Sequence, residues 1–144
     1  MNDTIWFAPY DIDNHPFDDR KTIHHALGIK VTGMTANSIS GTMPIDERTI
    51  QPHGILHGGA SVVLAESLGS IACNLTIDPE KYICVGQNVT AHHLRPGIKG
   101  FAHGTASPIH IGKKTQLWDI QITNDEGKPL CSVRLQMAVL PKPK

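Results

Sequence analysis

Glu66 is the only charged residue between Gly58 and Ile77, set in the stretch LHGGASVVLAESLGS, Leu56 to Ser70. A carboxylate in apolar company either holds a partner or does chemistry, because burying it unpaired is costly enough that it would take up a proton instead. One alternative is structural: Glu66 pairs with a Lys or Arg from elsewhere, or lies on a more exposed strip. Upstream, Gly58 and Gly59 open a helix, where unobstructed N–H groups and the helix dipole favour developing negative charge. Such a start is an oxyanion site in waiting, or simply allows close packing on a sheet. Ser70 lies one turn beyond Glu66 on the same face, close enough to orient the carboxylate or a water. Its alternative is a hydroxyl bonded back to its own helix.

The elements that must carry these groups follow from periodicity. Ala60, Val63, Leu64, Leu68, Ile71, Ala72 and Leu75 recur at helical spacing, which predicts one long helix over 58–75, ended by Asp78-Pro79. Its opposite side, Val62, Ala65, Glu66, Gly69, Ser70 and Cys73, is also small or apolar, predicting burial nearly all round. Strands are predicted over 29–35, 38–45, 82–94, 100–111, 116–123 and 130–140, separated by turn residues. A short helix over 17–27 stops at Gly28. The 144 residues therefore read as one α+β domain, 1–144, with an irregular N-terminal extension over 1–21 and the long helix lying on an antiparallel sheet.

One sheet face leaves the other side of that helix uncovered, which predicts a symmetric partner. Gly58 and Glu66 are eight residues apart, ~12 Å along a straight helix, whereas reacting groups must approach within ~3–3.5 Å. If both serve one reaction, they come from different subunits.

Gln51-Pro52-x-Gly54-x-Leu56-His57-Gly58-Gly59-Ala60, followed by Leu64-Ala65-Glu66 and Ser70, resembles the hotdog-fold acyl-CoA thioesterases. The resemblance is to the branch with Glu on the central helix, which includes 4-hydroxybenzoyl-CoA thioesterase, the phenylacetate-degradation type and the 1,4-dihydroxy-2-naphthoyl-CoA hydrolases of menaquinone synthesis. It extends from about Thr22, with TMPIDERT before the motif and His110 to Trp118 after it. The resemblance implies a sheet wrapped around one helix, a homodimer with cross-subunit sites paired into a homotetramer, and thioester hydrolysis with neither metal nor cofactor. It implies Glu66 as nucleophile or general base, Gly58 N–H polarising the thioester carbonyl, His57 and Gln51 positioning it, and Ser70 assisting. It assigns coenzyme A contacts to Gly86, to His93, Leu94, Arg95 and Pro96, and to His110, Ile111, Gly112, Lys113, Lys114 and Thr115. Arg95, Lys113 and Lys114 are its phosphate partners, Arg134 a weaker one. The chain departs from the pattern at His92, where relatives commonly carry an amide residue.

Other classes fare worse. Thirteen basic and thirteen acidic residues cancel, so net charge selects neither nucleic acid nor an anionic membrane. The N-terminus MNDTIWFAPYDIDNHPF lacks a basic start and an apolar run, and a mid-span acid costs about 2.5–3.5 kcal/mol on insertion, which together predict a cytoplasmic protein. Cys73, Cys84 and Cys131 are odd in number and have no CxxC spacing, so buried free thiols are expected. His53 and His57 with His92-His93 suggest metal, but Pro52 and Gly54 favour a loop there over a helical ligand pair. A non-catalytic acyl-CoA sensor is the rival from another class.

Overall fold

The computed structural model describes residues 3–16 and 21–144. In chain order the elements are α1 (Ile23–Leu27), β1 (Lys30–Met34), β2 (Ile39–Pro44), α2 (Gly58–Leu75), β3 (Tyr82–His93), β4 (Phe101–Ile111), β5 (Thr115–Thr123) and β6 (Pro129–Pro141). The strands form one antiparallel sheet in the order β1-β2-β4-β5-β6-β3. α2 packs on β2, β3, β4, β5 and β6. This is the hotdog arrangement that the sequence implies.

The β5–β6 ladder shows why these residues make sheet. Trp118, Ile120 and Ile122 are fully buried and pair across the ladder with Leu135, Val133 and Cys131, which are equally buried. Polar residues alternate with them, as a sheet with one covered face requires. Helix and sheet approach closely where glycines leave room: Gly41 of β2 pairs with Gly104 of β4, and the two methyls of buried Leu68 sit over that pair. A side chain at either glycine would meet them at 2.7 Å.

Several expectations change. The sheet wraps the helix further than one flat face would, so Ala65, Gly69 and Cys73, assigned above to an uncovered side, are buried within the chain. What stays open is a narrow strip: Gly59, Val62, Val63, Glu66, Ser70 and Asn74. Val63 lies on this strip rather than in the core. α1 begins at Ile23 because Thr22 caps it, accepting from His24 N–H, and Gly28 closes it at φ +70°. Residues 17–20 of the predicted longer helix lie outside the described residues.

The cysteine reading is also corrected. Cys73 of α2 and Cys84 of β3 form a disulfide with their Cα atoms 6.2 Å apart, leaving Cys131 free and buried. The odd count and spacing concealed it because the pairing joins two elements that meet only in the folded chain. Beside it, Asn74 locks the same two elements together. Its side chain donates to the carbonyls of Ser70 and Cys84 and accepts from Cys84 N–H at 2.9 Å.

The N-terminal segment is irregular but tied down. Trp6 is buried and donates from Nε1 to the Thr35 carbonyl at 2.7 Å, while Phe7 N–H donates to the Leu75 carbonyl at 2.8 Å, satisfying one open end-group of α2. α2 is also the one described helix long and apolar enough to cross a membrane by composition. Its burial against five strands identifies it here as a core helix.

Candidate functional site

The loop before α2 is built to deliver Gln51 and His57 to the helix start. Buried Thr49 donates to the Pro44 carbonyl at 2.7 Å, and its own carbonyl accepts from His57 N–H at 2.8 Å. Arg48 grips Asp46 in the same loop, and that hydrogen bond holds the Asp46 carboxyl below the usual carboxylate range. Ile50 and Leu56 pair as an isolated bridge, so Gln51 to Ile55 forms a closed turn, with Gly54 at φ +82° where an L side chain would be strained.

Within this turn the Gln51 Oε1 accepts from His53 N–H, which leaves its amide NH2 without a partner in the chain. His57 is the N-cap of α2, and its Nδ1 accepts from Gly59 N–H at 2.8 Å. A ring whose Nδ1 accepts carries its proton on Nε2, so Nε2–H faces outward as a donor. Among the described residues Gly58 N–H donates to no group. Two imidazoles account for the paired glycines: a side chain at Gly58 would meet the His93 ring at 3.0 Å, and one at Gly59 the His57 ring at 2.9 Å. Close packing and a free N–H thus coexist, the packing being against rings rather than sheet backbone.

A pocket of about 530 Å³ opens here. Gln51, Gly58, His93, Leu94, Arg95 and Pro96 line it together with Ile55, Leu56, Ser61, Gly97 and Leu130. The Arg95 guanidinium donates to the Pro129 carbonyl at 2.9 Å, fixing it at the pocket rim.

Glu66 lies elsewhere, on the open strip of α2. Among the described residues it makes no hydrogen bond and no ion pair, so the structural alternative of a charged partner is not met, whereas the other one is: Glu66 lies half-buried on a more exposed strip than the periodicity predicts. Its carboxylate rests against the backbone of Gly86, and only a glycine leaves room for it there. A bulge between Gly86 and Asn88 re-aims β3 at this point. Ser70, on the same strip, also has an unpartnered hydroxyl, so it is not bonded back to its helix.

The remaining residues assigned to coenzyme A sit at the far end of α2. His110 and Ile111 end β4, Thr115 begins β5, and Gly112 to Lys114 form the turn between them, where Gly112 N–H donates to the Thr115 carbonyl at 2.9 Å. Ile111, Gly112 and Lys113 border a pocket of about 450 Å³ with Thr76, Ile77 and Tyr82. Beneath it runs a hydrogen-bonded chain that no local pattern signals, in which Trp118 donates to Gln116 and Gln116 to Thr76, the C-cap of α2. Within one chain, then, the structure gathers Gln51, Gly58 and His93 to Pro96, with the His57 ring packed beside them. It leaves Glu66, Ser70 and Gly86 as a second group, and Ile111 to Lys113 as a third. His92 is exposed on edge strand β3 opposite Ser132. The described residues contain no cluster of three or more potential metal-binding His, Cys, Asp or Glu side chains.

Residues 53–131 match the family model of the thioesterase superfamily, and the chain belongs to that family. A crystal structure of a mutant thioesterase from Pseudomonas aeruginosa superposes with a TM-score of 0.93 at 44% identity, covering 96% of this chain and 100% of that one. The 1,4-dihydroxy-2-naphthoyl-CoA hydrolase of Escherichia coli is 43% identical over 79% of this chain and 83% of its own length. The proofreading thioesterase EntH of Cronobacter turicensis is 41% identical over 83% and 86%. The chain is a thioester hydrolase.

Proposed function

We propose that this thioester hydrolase acts on acyl-CoA, preferring aromatic acyl groups, at sites completed by two subunits and without metal or cofactor. The carrying observation is that among the described residues Glu66 has no partner in its own chain, while the helix start ~12 Å away along α2 carries Gly58 N–H, with the Gln51 amide lining the same pocket and His57 next to Gly58 as the N-cap. An antiparallel pairing of two such helices about a two-fold axis brings each carboxylate to the other chain's donors and makes two equal sites.

In such a site the thioester carbonyl accepts from Gly58 N–H, with His57 and Gln51 fixing its direction. These donors are positioned before reaction, so they stabilise the oxyanion without reorganising. Glu66 of the partner then either attacks the carbonyl carbon, forming an anhydride that water opens, or takes a proton from a water that attacks directly. Both routes release CoA thiol and the free acid. Ser70 steadies the carboxylate. His93 to Pro96 of one subunit and Gly86 with His110 to Thr115 of the other hold the coenzyme, and the dimers pair into a tetramer. The name of the Escherichia coli relative supports an aromatic acyl-CoA, and 1,4-dihydroxy-2-naphthoyl-CoA is the first to test.

The test is steady-state release of CoA thiol from 1,4-dihydroxy-2-naphthoyl-, benzoyl-, hexanoyl- and palmitoyl-CoA by the wild type and Glu66→Ala, with light scattering for assembly. Turnover of an aryl-CoA that falls about a thousandfold or more in the variant is expected. Mixing Glu66→Ala with His57→Asn, which keeps an N-cap acceptor, should restore about a quarter of wild-type activity, as one intact site in each randomly formed mixed dimer requires. Binding without turnover by the wild type overturns the hydrolase reading in favour of a sensor, and absent restoration overturns the shared site.

A further inference from the structure

Ser61 lies in the first turn of α2, is only 3% exposed, and is not among the residues for which the family resemblance implies a role. A serine inside a helix ordinarily bonds its hydroxyl back to the preceding turn. Here the His57 carbonyl accepts from Ser61 N–H instead, and among the described residues the Ser61 hydroxyl makes no hydrogen bond. It faces the 530 Å³ pocket that Gly58, His93 and Arg95 also line. Size alone does not call for serine, since α2 uses Ala60, Ala65 and Ala72 where only a small buried side chain is needed. The hydroxyl is open to the pocket rather than sealed in the core, so an occupant of the pocket can hydrogen-bond it directly.

We propose that the Ser61 hydroxyl is a positioning group for the pantetheine arm of the substrate, hydrogen-bonded to the amide nearest the sulfur. This rests on the reading above, that the thioester carbonyl sits at Gly58 N–H. Gly58 and Ser61 are three residues apart on one helix face, ~4.5 Å along the axis. In a CoA thioester the first amide nitrogen lies two carbons beyond the sulfur, a matching reach. Beyond Pro96 the pocket adjoins a second depression of about 310 Å³, bordered by Arg95, Lys99 and Lys128 and also by Asp125 and Glu126; Glu126 pairs with Lys128 at 3.5 Å, which leaves Arg95 and Lys99 as the cations there for an arm ending in phosphates. Ser61 thereby selects thioesters by their leaving group rather than by their acyl chain.

The experiment compares wild type, Ser61→Ala and Ser61→Cys on two thioesters of one acyl group, the N-acetylcysteamine ester, which carries the amide, and the S-butyl ester, which does not. For both variants KM for the amide-bearing ester should rise about three- to tenfold, the size of one neutral hydrogen bond, with kcat within about twofold. The S-butyl ester should be hydrolysed as by the wild type. Equal losses on both esters, or none on either, overturn the proposal. Calorimetric titration with free CoA separates this from the hydrolase reading. Affinity weakened by the same factor in a protein that turns over no thioester leaves Ser61 in its role and removes the reaction. Affinity that ignores Ser61 removes the role whatever the turnover.

Discussion

The two parts of α2 on which the proposed site rests are built in opposite ways. At the N-terminal end the groups are held by their own chain: His57 is locked by Gly59 N–H, Gln51 by His53 N–H, and the loop between by Thr49 and the Ile50–Leu56 bridge. Midway along the helix Glu66 and Ser70 hold nothing, and only the vacant side of Gly86 makes space for the carboxylate. Glu66 and Ser70 are only half-buried, so the contrast is between groups held by their own chain and groups left open on the helix strip, and the proposed site draws on both.

The sharpest way to break this contrast is to remove charge at one part and a donor at the other. Glu66→Gln keeps the shape against Gly86 and should lower kcat about a thousandfold or more, whereas Gln51→Ala, one donor among three, should cost about ten- to a hundredfold. Equal losses at the two positions, measured on the best acyl-CoA, would erase the distinction. Glycine substitutions probe the same contrast sterically. Gly86→Ala drives a methyl into the Glu66 carboxylate, and kcat should fall about tenfold or more with the melting temperature nearly unchanged, because the displaced group is the tip of a flexible side chain. Gly58→Ala meets the His93 ring at 3.0 Å and should act mainly on KM, since the ring borders the pocket and needs to give only slightly.

The clamp behind Glu66 is tested through stability. Cys73 lies two turns beyond Glu66 on α2, and Cys84 two residues before Gly86 on β3, so the disulfide and the carboxylate contact join the same two elements. Cys84→Ser should lose about 3 kcal/mol in urea unfolding. Thiol titration in denaturant should find one thiol per chain before reduction and three after.

Much of this was legible from residue order alone. The 3.6-residue period located α2, alternation located β5 and β6, and a lone Glu beside a glycine-rich helix start marked the two groups on which the proposed site is built. Local signals of that kind depend on neighbours in sequence. The disulfide, the Asn74 clamp, the His93 ring over Gly58 and the unpartnered Ser61 hydroxyl depend on which strand comes to lie beside α2, and no periodicity carries that. The extent of wrapping was misjudged for the same reason. Whether Ala65 and Gly69 are covered depends on how far a twisted six-stranded sheet curls around the helix, which the pattern of α2 itself does not encode.

The smallest expected effect tests whether the far end of α2 belongs to the same site. Lys113 and Lys114 lie in the β4–β5 turn, and Lys113 borders the pocket at the C-terminal end of the helix, remote within one chain from Gly58. If the partner's turn reaches the coenzyme phosphates, Lys113→Ala should raise KM for an acyl-CoA by up to about fivefold at low salt, the range of an exposed ion pair. The difference should vanish near ~0.5 M salt, where screening acts over only a few ångströms. It should also vanish with the N-acetylcysteamine ester, which has no phosphate. An effect that survives both changes places Lys113 in support of the fold, and the two ends of the helix then serve separate purposes. An effect that disappears with salt and with the nucleotide joins the ends of two helices into one binding site, and the open strip between them is where the subunits meet.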